Sequence, residues 1–574
     1  LTPSFTRATT GTVQDNEGIL RTAIAGEARF TGARRVRNLT VNVSEDFSNV
    51  IWTKGAGVTL SKTVANPIDG AATATLVTIV SATTGTQEDG LTYPAGTYLA
   101  SWYFKKGSAR YPCIQVHSSG SASVDYITLD MDTGIAATQH TGSAVQSVDN
   151  ITVTSPTTGW YRLSARVITT GTINLFGTAL MPSLVSIAFT TGTYNQYGPL
   201  LEAIDGRTDQ TTPSEYVSVG VLSAPYHGAG VDGVKYFDTD LSGNPIAAST
   251  LKGYLAEPAA TNLCTKSQEF DAWTKGNGGA GSLPVVTAND GVAPDGTTTA
   301  DKVVFAAPGA GDISALTSPA FATTVASSYT SAVYIKAFAA GDVGKQILTR
   351  QAGAAGYTAK TLTADWQRLG TTETATGAST SIDIVLRPTF GGSSGTVSVY
   401  LWGAQVELGS AATSYIPTTT VAVARNADVL TYTGGDIANI KTLAATFRRE
   451  AGVSAAGWAA TLSDGTVNNY MSVSVDSATE SRFLGVSGGA VQWDATPSYT
   501  AGTQSKASFS AATNDIKMDK DGTAQTQDTI ATVPTVTQLN VGHAAGSFVL
   551  NGHVGHIYGW TTNKSQSELS AVDR

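Results

Sequence analysis

The residues of this sequence best suited to chemistry are aromatic rings set beside amide and carboxylate side chains. A sugar presents an apolar C–H face that stacks on an exposed ring, while Asn and Asp bond its hydroxyls. Tyr470 follows Asn468-Asn469 in a loop, and Trp493-Asp494 lies close to Pro497 and Tyr499. Asn469, Tyr470, Trp493 and Asp494 are therefore the candidate glycan contacts, with core filling as the competing role for the rings. Trp52 with Trp273, and Trp160 with Trp366, occupy matching places in two copies of one pattern, so packing is expected of them.

Other chemistries find no support. Cleaving a glycosidic bond takes two facing carboxylates. Glu202 and Glu407 recur, but in different copies, and each is expected to bond backbone amides at a strand end. The sequence has no Gly-rich phosphate loop, no Gly-x-Ser-x-Gly elbow and no His-Glu-x-x-His, so no enzyme and no catalytic residue is expected. Three of the six histidines, His543, His553 and His556, lie near the C-terminus. Strand residues three apart point to opposite faces, and zinc needs three or four ligands. Asp238, Asp240 and Ser242 open like a calcium loop, but the twelfth position is Ser249, not a carboxylate. A hairpin turn is expected there, and neither a metal nor a cofactor. Cys113 and Cys264 do not match between the copies, so no repeated disulfide is expected; buried small residues are.

The composition agrees. Charged residues are 14% of 574 and the net charge is −9, which gives no basic stripe for nucleic acid. There is no run of about 18 apolar residues, so no membrane insertion is expected, and no signal peptide is visible. Abundant Thr, Ser, Val and Gly fit β-strands whose outer faces are hydroxyl-bearing.

The elements that must hold these side chains come as a repeat. Ala33–Lys54 and Gly253–Lys275 share Asn-Leu-Thr or Asn-Leu-Cys, then Phe, then Trp-Thr-Lys, pairing Asn38 with Asn262, Phe47 with Phe270 and Trp52 with Trp273. The match continues through Tyr103 and Tyr334, Arg162 and Arg368, and Glu202 and Glu407, and the largest insertion falls in the first copy after Lys105. The sequence divides into a β-hairpin lead-in (1–37), a first jelly-roll module (38–218), a linker with a second lead-in (219–261), a second module (262–424) and a different sandwich (425–574). Thr446–Arg448, Tyr470–Val475, Gln538–Val541 and Val554–Trp560 alternate like strands, and Ser565 with Glu568 has capping-box spacing for a closing helical turn. The fold class expected is all-β: tandem β-sandwiches, then a concanavalin-like sandwich.

Glu257–Val303 and Trp402–Thr418 resemble a recurrent module of bacteriophage tail and head-fibre proteins that is similar to carbohydrate-binding jelly rolls. The first module fits more loosely: it lacks Glu-Pro-Ala, and Asn66–Ala71 is a degenerate form of the Ala-Pro-Asp-Gly-Thr run. Lys517–Gly522, Leu539–Gly542 and Asn551–Tyr558 resemble concanavalin- or laminin-G-like lectin domains. The resemblance implies a fibre or spike on the virion exterior that binds bacterial surface polysaccharide without cleaving it. It also implies contacts with other phage structural proteins and a homo-oligomer, a trimer above all. The alternatives it leaves are a structural decoration or spacer protein of the head or tail, and a glycan-cleaving tailspike.

Overall fold

The computed structural model describes residues 2–40, 43–119, 123–141, 146–220, 230–351 and 356–572. It is nearly all antiparallel β-sheet, with the one α-helix of the described residues at Gln566–Ala571. The chain divides into two compact units, Arg34–Pro245 and Leu1–Ala33 with Ile246–Arg574. The lead-in read from the sequence as 1–37 is therefore split: Arg34–Arg37 pairs with Val234–Phe237 in the first unit. The stretch 219–261 divides likewise, at Pro245. No local pattern marks these cuts, because each depends on a strand partner far along the chain.

The unit Arg34–Pro245 is a sandwich of two six-stranded sheets. Phe47, Trp52, Trp102, Phe104 and Phe176 fill its core. At roughly 25 cal/mol per Å² and 150–250 Å² per ring, each contributes about 4–6 kcal/mol of transfer free energy. The second module, in the other unit, is a sandwich of two five-stranded sheets. The extra strands of the first module, Ala136–Thr141 and Gln146–Thr157, sit at its sheet edges and lie in the insertion after Lys105.

The two modules repeat the same locks. Asn38 donates to the carbonyls of Pro199 and Val217 and accepts from the amides of Thr40 and Leu201. Asn262 donates to Ala404 and Ile416 and accepts from Cys264 and Val406. Both tie the opening of a module to its last strand. The Trp52 and Trp273 indoles donate to the carbonyls of Val43 and Lys266, with Phe47 and Phe270 packed on them at 4.8 and 4.7 Å. Ser44 meets Tyr216 as Ser267 meets Tyr415. The Glu202 and Glu407 carboxylates accept from the amides of Ser214 and Thr413, the strand-end role expected of them.

Gly198 and Gly403 sit at matching bulges with φ of 58° and 63°, and a Cβ at either would come within 3.1 Å of the Tyr103 or Tyr334 ring. Bulge geometry and ring contact together require glycine there. Cys113 and Cys264 are buried free thiols, and burial pushes both pKa values up. Asp240 accepts from the amides of Ser242 and Asn244, as a hairpin turn requires.

The last sandwich recruits strands the sequence places elsewhere. Thr2–Thr6 pairs with Val429–Thr433, and Tyr254–Ala256 pairs with Gly552–Val554 while Phe30–Thr31 pairs with Gly253-Tyr254. Its two seven-stranded sheets therefore include residues from the lead-in and from before the second module.

A buried ion cluster joins these segments. Arg7 and Arg29 both bond Asp428, Arg29 also bonds Glu257 at 2.7 Å, and Arg425 lies within 3.3 Å of Glu257 and 3.4 Å of Asp428. Ser414 donates to Glu257 through its amide and its hydroxyl, both at 2.6 Å. Burial alone would raise the Glu257 carboxyl; the guanidiniums of Arg29 and Arg425 hold it well below the usual carboxylate range.

Candidate functional site: the outer face of the last sandwich

On strand Tyr470–Val475, Met471, Val473 and Val475 point into the core, so Tyr470, Ser472 and Ser474 line the opposite face. Register carries that face across the sheet: Ser472 lies opposite Leu484, and Leu484 opposite Asp494. Trp458, on Gly457–Ser463, turns to the same side, and its ring lies 4.7 Å from Tyr470. Phe548 stacks on Trp458 at 5.9 Å with an 18° interplanar angle. The result is a Tyr470–Trp458–Phe548 slab over a floor of Ser472 and Thr461.

The slab's outer ring is offered to solvent. Trp458 is 9% exposed, whereas Phe548 is 53% exposed. The loop that holds Phe548 is tightly specified. Ala545, Phe548 and Asn551 all have positive φ, at 45°, 52° and 51°. A left-handed conformation costs a non-glycine residue about 1–2 kcal/mol, so the surrounding contacts must impose it. Ala544 and Ser547 exchange backbone bonds, and Trp458 N donates to Phe548 O at 3.0 Å.

His543 pins the loop to the sheet. Its Nε2 bonds the Leu430 carbonyl at 3.0 Å, and Gly546 N donates to its Nδ1 at 3.0 Å. That pattern needs the neutral ring, and burial pulls its pKa down from 6.5 to about 4.

The sequence-expected contacts separate. Trp493 is 3% exposed and lies in the core over Gly485, where a Cβ would come within 2.3 Å of the indole. It cannot offer a face to a sugar, because strand alternation turns it inward when Asp494 turns outward. Asn469 is a turn staple: its amide donates to Asp464 and its carbonyl accepts from Gly488 N. Tyr470 lies on the outer face but is 7% exposed and serves as the inner wall of the slab. Asp494 lies on that face too, exposed and bonded by both Nε and Nη2 of Arg482, which also reaches Asp476 at 3.0 Å. Trp458 and Phe548 were missed. Period 2 would place Trp458 with the core residues Ala460 and Leu462, and a bulge between Trp458 and Ala460 turns it to the outer face instead; neither that bulge nor the conformation of the Phe548 loop is visible in sequence.

His553 and His556 depart from simple alternation. A bulge between Val554 and Ile557 opposes Thr446, which restores both histidines to the non-core side. His553 is buried against Thr31, while His556 is exposed and stacks towards Tyr558. Among the described residues no three His, Cys, Asp or Glu side chains converge as a metal site. A recess of about 790 Å³ also opens between the two sheets of this sandwich, with Leu430, Ile440, Val554 and Trp560 in its walls. Those walls are mainly apolar, with Tyr432, Asp436, Thr561 and Thr562 as polar members of the lining.

No family model matches the chain, and no curated protein matches it. Among solved structures it is similar to the CBM22-1–CBM22-2 tandem of Paenibacillus barcinonensis Xyn10C, at 9% identity over 66% of this chain and 99% of that one, TM-score 0.19. It is likewise similar to mouse laminin α1 domains LG4–5, at 8% identity over 88% and 91%, TM-score 0.19. A Trypanosoma rangeli sialidase with the inhibitor DANA aligns at 10% identity over 100% and 98%, TM-score 0.20. Similarity this low adds nothing to the functional argument, which rests on the side chains.

Proposed function

We propose that the chain is a non-catalytic glycan-binding component of a phage particle's exterior, a receptor-binding fibre or spike acting as a homo-oligomer. Its last sandwich takes the sugar on the Tyr470–Trp458–Phe548 face. The observation that carries this is Phe548, an exposed ring held in a left-handed backbone and stacked on a second ring. Strain kept at an exposed aromatic serves no core, so it points to a surface built for a ligand. Asp494 and Arg482 on the same face supply groups for sugar hydroxyls. A single such site binds weakly, and several copies on one particle raise avidity.

The test is a bacterial-glycan array probed with the full chain, followed by titration of the hits. Phe548→Ala is expected to weaken binding about tenfold or more while leaving the melting temperature nearly unchanged. An array without hits, or hits that Phe548→Ala leaves intact, overturns the assignment and leaves the spacer role.

Acid offers a second readout. The His543 pKa is lower in the folded chain than in the unfolded one, so its contribution is complete above pH 6.5 and lost as pH falls towards about 4. Between those values stability should drop by on the order of 3 kcal/mol, with the Phe548 loop released first. Trp458 fluorescence across that window, compared with His543→Gln, checks it.

A further inference from the structure

The second module carries a row of rings that the first lacks. In its sheet containing Ser328–Ala337 and Gly395–Leu408, Val333, Ile335, Val397 and Val399 face the core. Lys336 and Tyr400 therefore face outward, and Phe338 follows on the same side just past the strand. Phe338 lies 5.4 Å from Tyr400, and Tyr400 lies 6.5 Å from Trp366. Two ammonium groups rest on this row. Lys302 Nζ is 3.7 Å from the Phe338 centroid, and Lys336 Nζ is 4.9 Å from Trp366 and 5.4 Å from Tyr400.

The rings are held in place. The Tyr400 hydroxyl donates to Asp290 at 3.0 Å, and Trp366 Nε1 donates to the Val292 carbonyl at 3.2 Å. Neither lysine makes an ion pair among the described residues. Asp365 is the acidic group whose charge acts on Lys336, against burial, which lowers the ammonium's pKa. Phe338 is 37% exposed, so the end of the row nearest Lys302 is open.

The first module shows that folding does not need this row. Lys105 lies opposite Asn195 as Lys336 lies opposite Tyr400, and Gly107 stands where Phe338 would. Trp160, the counterpart of Trp366, is 2% exposed, a packed residue.

We propose that this row is a second glycan site, independent of the last sandwich, that binds an acidic sugar chain containing uronic acid. The ring faces take the C–H faces of the sugar, and Lys302 and Lys336 take its carboxylates. An ammonium on a ring is partly desolvated and gains more from a carboxylate than one in open water does.

The experiment titrates the full chain with oligogalacturonate, with neutral cello-oligosaccharide of the same length, and with dextran sulfate, an anionic chain without uronic acid. Oligogalacturonate should bind, weaken as salt rises, and lose about tenfold in affinity with Lys302→Gln, Lys336→Gln or Phe338→Ala, a loss the size of one charge-assisted contact. Lys105→Gln and Phe548→Ala should leave it unchanged; loss with Phe548→Ala would place the uronate on the other face and overturn this site. The site is also overturned if the neutral chain binds equally, if only dextran sulfate binds, if Lys302→Gln/Lys336→Gln keeps full affinity, or if oligogalacturonate fails to bind at roughly millimolar concentration. Lys302 and Phe338 are surface residues, so unchanged melting separates lost binding from lost folding.

Discussion

The two jelly-roll modules share their locks and differ in their dressing. Asn38 and Asn262, Trp52 and Trp273, and Gly198 and Gly403 make matching contacts at matching places. Around that skeleton the second module adds the Phe338–Tyr400–Trp366 row where the first has Gly107, Asn195 and a packed Trp160. It also engages the buried cluster of Arg7, Arg29, Glu257, Arg425 and Asp428, whereas the first module opens on Ala33-Arg34, with Arg34 held bidentately by Glu215 at 2.7 and 2.8 Å. Positions that repeat maintain the fold; positions that do not are where the modules are free to differ in what they touch.

The sharpest way to break the comparison is the buried cluster. Glu257→Ala or Arg29→Ala leaves buried charges without partners and should cost about 3–5 kcal/mol. The loss should fall on the unit that holds the second module, with the Arg34–Pro245 unit unaffected. Calorimetry of the full chain, with the two units' transitions resolved, checks this; equal destabilisation of both units would mean the cluster is not specific to one.

A smaller and symmetric effect is expected at the shared asparagines. Asn38→Ala and Asn262→Ala each strand buried carbonyls and amides at a module's opening, at about 2–3 kcal/mol. Each should destabilise its own module by a similar amount in urea titration, and a large asymmetry would show that the two locks are not equivalent. Smaller again, Gly198→Ala and Gly403→Ala should each cost about 1–2 kcal/mol from the left-handed backbone, plus whatever shift the adjacent tyrosine ring makes. Exchanging Tyr400→Asn, which copies the first module's residue, should leave the free energy of unfolding within about 0.5 kcal/mol of wild type.

Much of this was legible in the sequence. Tyr470–Val475 and Gln538–Val541 are strands as read, because alternating apolar residues leave one register that buries them. The Ser565–Glu568 capping box forms as spaced. The repeat was legible because its locks use rare, directional side chains: an asparagine that can bond on both ends, and an indole with one donor. The mismatches Gly107 against Phe338 and Asn195 against Tyr400 were also available in that alignment. Trp493 was misplaced although a signal was there: Val491, Trp493 and Ala495 alternate with Gln492 and Asp494, a period-2 pattern that groups the indole with apolar residues and turns Asp494 to the other side.

The sequence by itself determined the all-β class, the duplicated module and the positions of its locks, since these follow from period-2 patterning and from residue types that are local properties of the chain. Only the tertiary structure decided that Thr2–Thr6 completes a sheet with Val429–Thr433, that five charged side chains from three distant segments share one buried cluster, and that Phe548 meets solvent. Those outcomes depend on which strands lie side by side and on a bulge or a left-handed turn that reverses a face. Neither leaves a signature in the residues that carry it.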